Sequence, residues 1–201
     1  MASHTRRTLM LSAIVLGGVA VVAGACSGRN VGKGPSTTVE PTRETLPAGS
    51  VVRFALSPDL VPAIAGELII GALQYQGATV TRSTLTASNG AEAALTSGTA
   101  DVGIVITSDP DGFRVAASDR GLVVLEPLPG DVGGATGIPV ATADASRKYG
   151  DLLEGTIDGV TSSLAPDTLV QLAAAIAEGE RSTSEVVREH LVDSGLVTTT
   201  R

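Results

Sequence analysis

The sequence predicts an α/β fold: a central, mostly parallel β-sheet flanked by helices. Three observations carry that expectation. Between Val51 and Ile106, short β-branched runs alternate with runs of helical period. Glycine or proline punctuates each change of period. The strands are joined through helical segments, and such crossovers place them parallel with right-handed connections.

The elements follow in order. "VVRFAL" (Val51 to Leu56) is β-branched and aromatic, bounded by Gly49 and Pro58, and reads as a strand. "SPD" follows, with Ser57 and Asp59 as candidate helix caps. In "LVPAIAGELIIGALQYQG", Ile64, Leu68 and Ala72 recur at helical spacing, with Ile69 and Leu73 beside them. Pro62 fits only in the first turn, and Gly77 stops the helix. Ala78 to Leu85 is a second strand. Ser88 or Asn89 then caps a short helix that ends at Gly98, and Val102 to Ile106 is a third strand.

"SDPDG" after that strand reads as turn chemistry. Gly121 to Leu128 and Ile138 to Thr142 read as further strands around the Gly-rich loop "PGDVGGATG". Asp151 to Val160 is a weaker helix. "APDTLVQLAAAIAEGE" places Leu169, Leu172, Ala173 and Ile176 on one helix face, with Pro166 near the first turn. "STSEVVREHLVDSG" has a capping box, Ser182 with Glu185, and Gly195 beyond its end.

In a parallel sheet the ligand lies beyond the carboxyl ends of the strands, beside helix N-termini. That edge carries the candidate ligand-binding residues Ser57, Pro58, Ser88, Asn89, Thr107 and Ser108.

The N-terminus is of another kind. Arg6 and Arg7 precede an apolar run, Leu9 to Ala23, of about 15 residues: a signal-peptide core, short for a span of ~20. It closes in "VVAGAC", where Gly24, Ala25 and Cys26 resemble a lipobox. In that reading residues 1–25 are a signal peptide that is removed. Cys26 then carries a lipid anchor (palmitate) that holds the protein on the extracytoplasmic face of a bacterial cell membrane. The alternative is an ordinary cleavage site with an incidental cysteine. "TRRTLM" weakly resembles a twin-arginine signal, so the export route stays open between that and the general one. Residues 26–49, rich in Pro, Thr, Ser and Gly, read as a flexible tether, and residues 50–201 as the folded body.

Composition narrows the function. Formal net charge is -7, and -9 once residues 1–25 are gone, because 12 basic residues then face 21 acidic ones. Nucleic-acid binding needs a basic face, so no nucleic acid is expected. No enzyme is expected either. His4 lies in the leader, His190 is expected on a solvated helix face, and the one cysteine is the lipidation candidate. Asp109 and Asp111 belong to the expected turn, so neither a metal nor a cofactor is implied.

The order of these pieces resembles the substrate-binding proteins of bacterial ABC importers for osmoprotectants, the glycine betaine, choline and carnitine binders. The resemblance covers most of Ser50 to Val197. It rests on "ALTSGTAD" before a strand, on "LVVLEP" and a following "PV", and above all on the closing helices "TIDGVTSSLAPDTLVQLAAAIAEGERSTSEVVREHLVDSGLV". It implies one lobe of a periplasmic-binding-protein-like (type II) fold. It also implies a quaternary-amine or other small zwitterionic solute, an ABC permease as partner, and membrane attachment through the lipid.

Two departures stand out. Family members leave the first lobe after the strand matching Val102 to Ile106 and build a second lobe. Here the outgoing strand and the return segment are fused at "TSDPDGF", which makes Asp109 and Asp111 the seam. The aromatic cage for trimethylammonium groups is also missing. Aromatics are 2% of the chain, and Tyr75 and Tyr149 read as packing or surface residues. The functional expectation is an extracytoplasmic solute-binding lipoprotein. The alternative is a non-transporting interaction or scaffold module built on one such lobe.

Overall fold

The computed structural model describes residues 45–131, 134–179 and 181–198. The expected signal peptide, Cys26 and most of the tether lie outside the described residues.

The expected alternation is present. β1 (Val51–Leu56), α1 (Leu60–Tyr75), β2 (Thr79–Thr84), α2 (Gly90–Thr96) and β3 (Val102–Thr107) follow one another. They are followed by α3 (Pro110–Asp119), β4 (Leu122–Val124), β5 (Thr136–Thr142), α4 (Ala143–Ser163), α5 (Thr168–Ala177) and α6 (Thr183–Asp193). The five strands form one sheet in the order β2-β1-β3-β5-β4. β1 is parallel to both β2 and β3, while β5 is antiparallel to β3 and β4. Four strands therefore share a direction and β5 alone runs against them.

Alternation along each strand sends side chains to two cores. Val52, Phe54, Val80, Val102 and Ile104 join a large core with α1, α4, α5 and α6. Ala55, Val105, Ile138 and Val140 meet α2 and α3 in a smaller one through Ala91, Leu95, Phe113 and Ala117. Helices thus cover both faces, and the central strands are apolar on both sides, as burial on two faces requires.

α1 sits very close to the sheet. A Cβ on Gly66 would lie 2.7 Å from Leu56 Cδ1 and 3.1 Å from the Phe54 ring. Glycine is what lets the helix axis approach β1 at that point.

Several expectations change. "SDPDG" is the start of a helix rather than a turn: Asp109 accepts a hydrogen bond from Gly112 N at 3.0 Å, and Pro110 takes the first turn of α3. A proline there lacks only an N–H that the helix would leave unpaired anyway. The strand expected over Gly121 to Leu128 is confined to β4. Pro127 has no N–H for a ladder, and Glu126 N donates to Asp158 instead, although Leu125 and Leu128 still donate to Pro139 O and Gly137 O of β5. The weak helix at Asp151 is half of a longer one. α4 begins at Ala143 and breaks at Gly150 (φ 56, ψ -146), a conformation open to glycine and strained for other residues.

The folded body starts before residue 50. Leu46 is 3% exposed in the large core, and its N–H donates to Gln76 O at 3.0 Å. His190 is not on a solvated face. α6 buries Val186, Val187 and Leu191, and His190, one turn on from Val186, is half-buried beside them. Its Nε2 is buried with no hydrogen-bond partner among the described residues.

Two outcomes follow. Gly66→Val should destabilise by roughly 1–3 kcal/mol through overpacking at β1, read as a lower denaturant midpoint. Burial pushes the His190 pKa down, against a smaller upward pull from Asp193. Both folded and unfolded forms are neutral above pH ~6.5, and below it the unfolded chain takes the proton first. Stability should therefore fall as pH drops from 7 to 5. His190→Gln should flatten that slope in denaturation at several pH values.

Candidate ligand edge

The topology brings the strand ends together. β1, β2 and β3 are parallel neighbours, so Ser57, the Leu85–Asn89 segment and Thr107 emerge at the same edge of the sheet. β4 ends there and β5 begins there, so residues 125–131 and 134–135 border it as well.

At side-chain level the six candidates differ. Ser57 is 4% exposed, and its Oγ accepts from Asp59 N at 3.2 Å. Thr107 does the same to Asp109 N at 3.1 Å. Both hydroxyls tighten the turn from strand to helix, and each keeps its own proton to donate. Asn89 takes the cap position of α2 and Asp59 that of α1, neither with a side-chain cap bond. Pro58, Asn89 and Ser108 are exposed and Ser88 is half-buried.

Acidic residues rim the same edge. Asp59, Asp109 and Asp111 begin α1 and α3, and Glu126 and Asp131 lie between β4 and β5. Asp131 also orders that loop, its Oδ1 accepting from Gly134 N and Ala135 N at 2.5 and 2.8 Å. The carboxylates at this edge make it a field that favours cations and disfavours anions.

Both tyrosines are packing residues. Tyr149 is buried and donates to Val51 O at 2.7 Å, and Tyr75 donates to Thr198 O at 2.9 Å. Neither ring stands at the ligand edge.

Sequence reasoning missed two surface features. A groove of about 540 Å³ runs over α1, lined by Leu56, Leu60, Ile64, Glu67, Arg82 and Ser184. A polar depression of about 450 Å³ lies at the opposite edge of the sheet. None of the six candidates lines either one. The groove needs α6 brought beside β2, which no local pattern announces. The depression contains a clamp: Arg53 donates through Nε and Nη2 to the two oxygens of Asp101 at 3.0 and 2.5 Å, and through Nη1 to Gly98 O at 2.7 Å.

With this geometry in place, the chain can be set beside known proteins. No family model matches it, and no curated protein does. Among solved structures, apo YehZ from Escherichia coli is similar with a TM-score of 0.63 at 13% identity, over 74% of this chain and 99% of that one. The two share a mixed α/β fold, an open sheet flanked by helices. Two further structures overlap more loosely. DctP7, a Bordetella pertussis extracytoplasmic solute receptor binding pyroglutamic acid, gives 0.42 at 8% identity over 71% of this chain and 86% of that one. A marine metagenome TRAP solute-binding protein specific for pyroglutamate gives 0.41 at 10% identity, over 74% and 86%.

The Arg53 clamp has a measurable consequence. Burial pulls the Asp101 pKa up, but hydrogen bonds and charge from Arg53 outweigh it and hold the carboxyl below its ordinary value. The contribution is present above the unfolded carboxylate pKa of about 4 and is lost as pH falls through the lower folded value. Asp101→Asn should cost about 1 kcal/mol at pH 7, reduced by the exposure of Arg53, with the difference closing in acid.

Proposed function

We propose that this chain is an extracytoplasmic solute-binding lipoprotein that serves an ABC importer with one lobe. In this reading the lobe holds a quaternary-amine or other small zwitterionic solute at the carboxyl edge of its sheet. The observation that carries the reading is the acidic rim of Asp59, Asp109, Asp111, Glu126 and Asp131 around the polar ends of β1, β2 and β3, on a fold shared with a solute-binding protein. A cationic head group is drawn to such a rim by charge rather than by aromatic faces. The hydroxyls of Ser57 and Thr107 and the side chains of Ser88 and Asn89 face the zwitterion's carboxylate. Pro58 and Ser108 shape the loops beside them. Cys26 carries the anchor, residues 27–45 the tether.

A second reading is favoured by the openness of this edge. A small ligand held on one side stays half in water, whereas tight binding normally buries most of it. A basic protein face would cover the whole rim, so the lobe would act as an interaction module.

Calorimetry and thermal shift of the full chain with glycine betaine, choline, carnitine and proline separate the two. Saturable binding should raise stability by about 2.7 kcal/mol at a hundredfold excess over Kd, and Asp59→Asn with Asp111→Asn should weaken it. No response to any of these at millimolar concentration would remove the solute reading and leave the interaction module. Cys26→Ala should move the protein out of the membrane fraction; retention would refute the anchor.

A further inference from the structure

The most exposed chemistry outside the ligand edge is the free side of β2. It is an outer strand of the sheet and among the described residues pairs with β1 alone, in unbroken register from Val51–Thr79 to Leu56–Thr84. The direction of its backbone groups follows from two bonds. Thr79 N donates to Ser50 O at 2.8 Å and Leu85 N donates to Leu56 O at 2.9 Å, both towards β1. In a parallel strand each residue points its N–H and C=O to the same side, and the side alternates. Thr81 and Ser83 therefore also face β1, and Val80, Arg82 and Thr84 present their N–H and C=O outward.

Natural edge strands are normally blunted by proline, a bulge, or a charge that projects outward. β2 has no proline and no break in register. Its single charge, Arg82, is turned back onto α1, where Nε and Nη2 donate to Glu67 at 3.0 to 3.3 Å. The edge is thus close to neutral in a chain whose net charge is strongly negative. A second copy therefore meets little charge of its own sign along this strand.

We infer that β2 pairs antiparallel with β2 of a second copy, about a two-fold axis at Thr81, and that the protein acts as a dimer with one continuous sheet. The register follows from the outward groups. Residues with outward N–H and C=O must oppose one another, so Val80 lies opposite Arg82 of the other copy and Thr81 opposite itself. A shift by one pair sets either Arg82 against Arg82, which brings two guanidinium groups together at the axis, or Val80 against Val80, which leaves Arg82 opposite Ala78 outside β2 and loses overlap. Such a contact is self-complementary and closed, as two-fold assemblies require. The groove beside Glu67 and Arg82 gains its missing wall from the second β2. The two ligand edges end up at opposite ends of the joined sheet, so the dimer does not rebuild a two-lobed cleft.

The test uses the full membrane-attached chain. With Thr81→Cys, mild oxidation should give a disulfide-linked dimer, because Cα atoms of a non-hydrogen-bonded antiparallel pair lie about 4.5 Å apart, within disulfide reach. Val115→Cys, on an exposed face of α3, and the parent chain with Cys26 serve as controls. Two differently tagged copies should co-purify. Thr81→Glu in both should abolish this, because the exposed side chain leaves the monomer intact but sets Glu against Glu. Thr81→Glu with Thr81→Lys should restore it, which also shows that the variants fold. No more cross-linking from Thr81→Cys than from Val115→Cys, or co-purification that survives Thr81→Glu in both copies, overturns the dimer. A monomer that still binds solute would do so while leaving the proposed function standing.

Discussion

The structure depends first on the burial of α1 against β1. Ile64, Ala65, Leu68, Ile69, Ile70, Ala72 and Leu73 are all buried, which leaves α1 little solvent face of its own. A helix apolar nearly all round is stable only inside a core. It therefore needs the sheet beneath it and α4, α5 and α6 around it, and all three pack on it. Gly66 sets the distance of that contact, and β1, paired on both sides, gives it a rigid floor.

The same arrangement explains where polar chemistry collects. A sheet covered by helices on both faces leaves its strand ends and outer strands as the backbone that meets water. At one end the carboxyl ends of β1, β2 and β3 carry hydroxyls and carboxylates. At the other the Arg53–Asp101 clamp closes the turn before β3. Along the side, β2 is left with Val80, Arg82 and Thr84 facing outward. The ends and the side are different kinds of surface: one offers discrete polar groups, the other a repeating backbone ladder.

Much of the fold was legible in the residues because it is local. β-branched runs gave β1 and β3, the i, i+4 spacing of Ile64, Leu68 and Ala72 gave α1, and Ser182 with Glu185 gave the start of α6. The candidate edge was legible too, since strand–helix alternation alone puts Ser57, Ser88 and Thr107 on one side. The misses were of two sorts. α3 was hidden because Asp109 and Pro110 suit a turn and a helix start equally, and only Phe113 and Ala117 finding the small core selects the helix. His190 has charged neighbours that suggest a solvated face, whereas its spacing from Val186 places it partly inward.

Local periodicity and capping by themselves determined the elements, their order, and the parallel course of the first three strands, because each depends on residues a few positions apart. The tertiary structure alone decided the strand order, the reversed β5, the buried Nε2 of His190, the groove between α6 and β2, and the direction of β2's free backbone groups. Each of these needs segments distant in sequence to meet. Their meeting is governed by which apolar faces fit, and that is a property of the assembled core rather than of any stretch of chain.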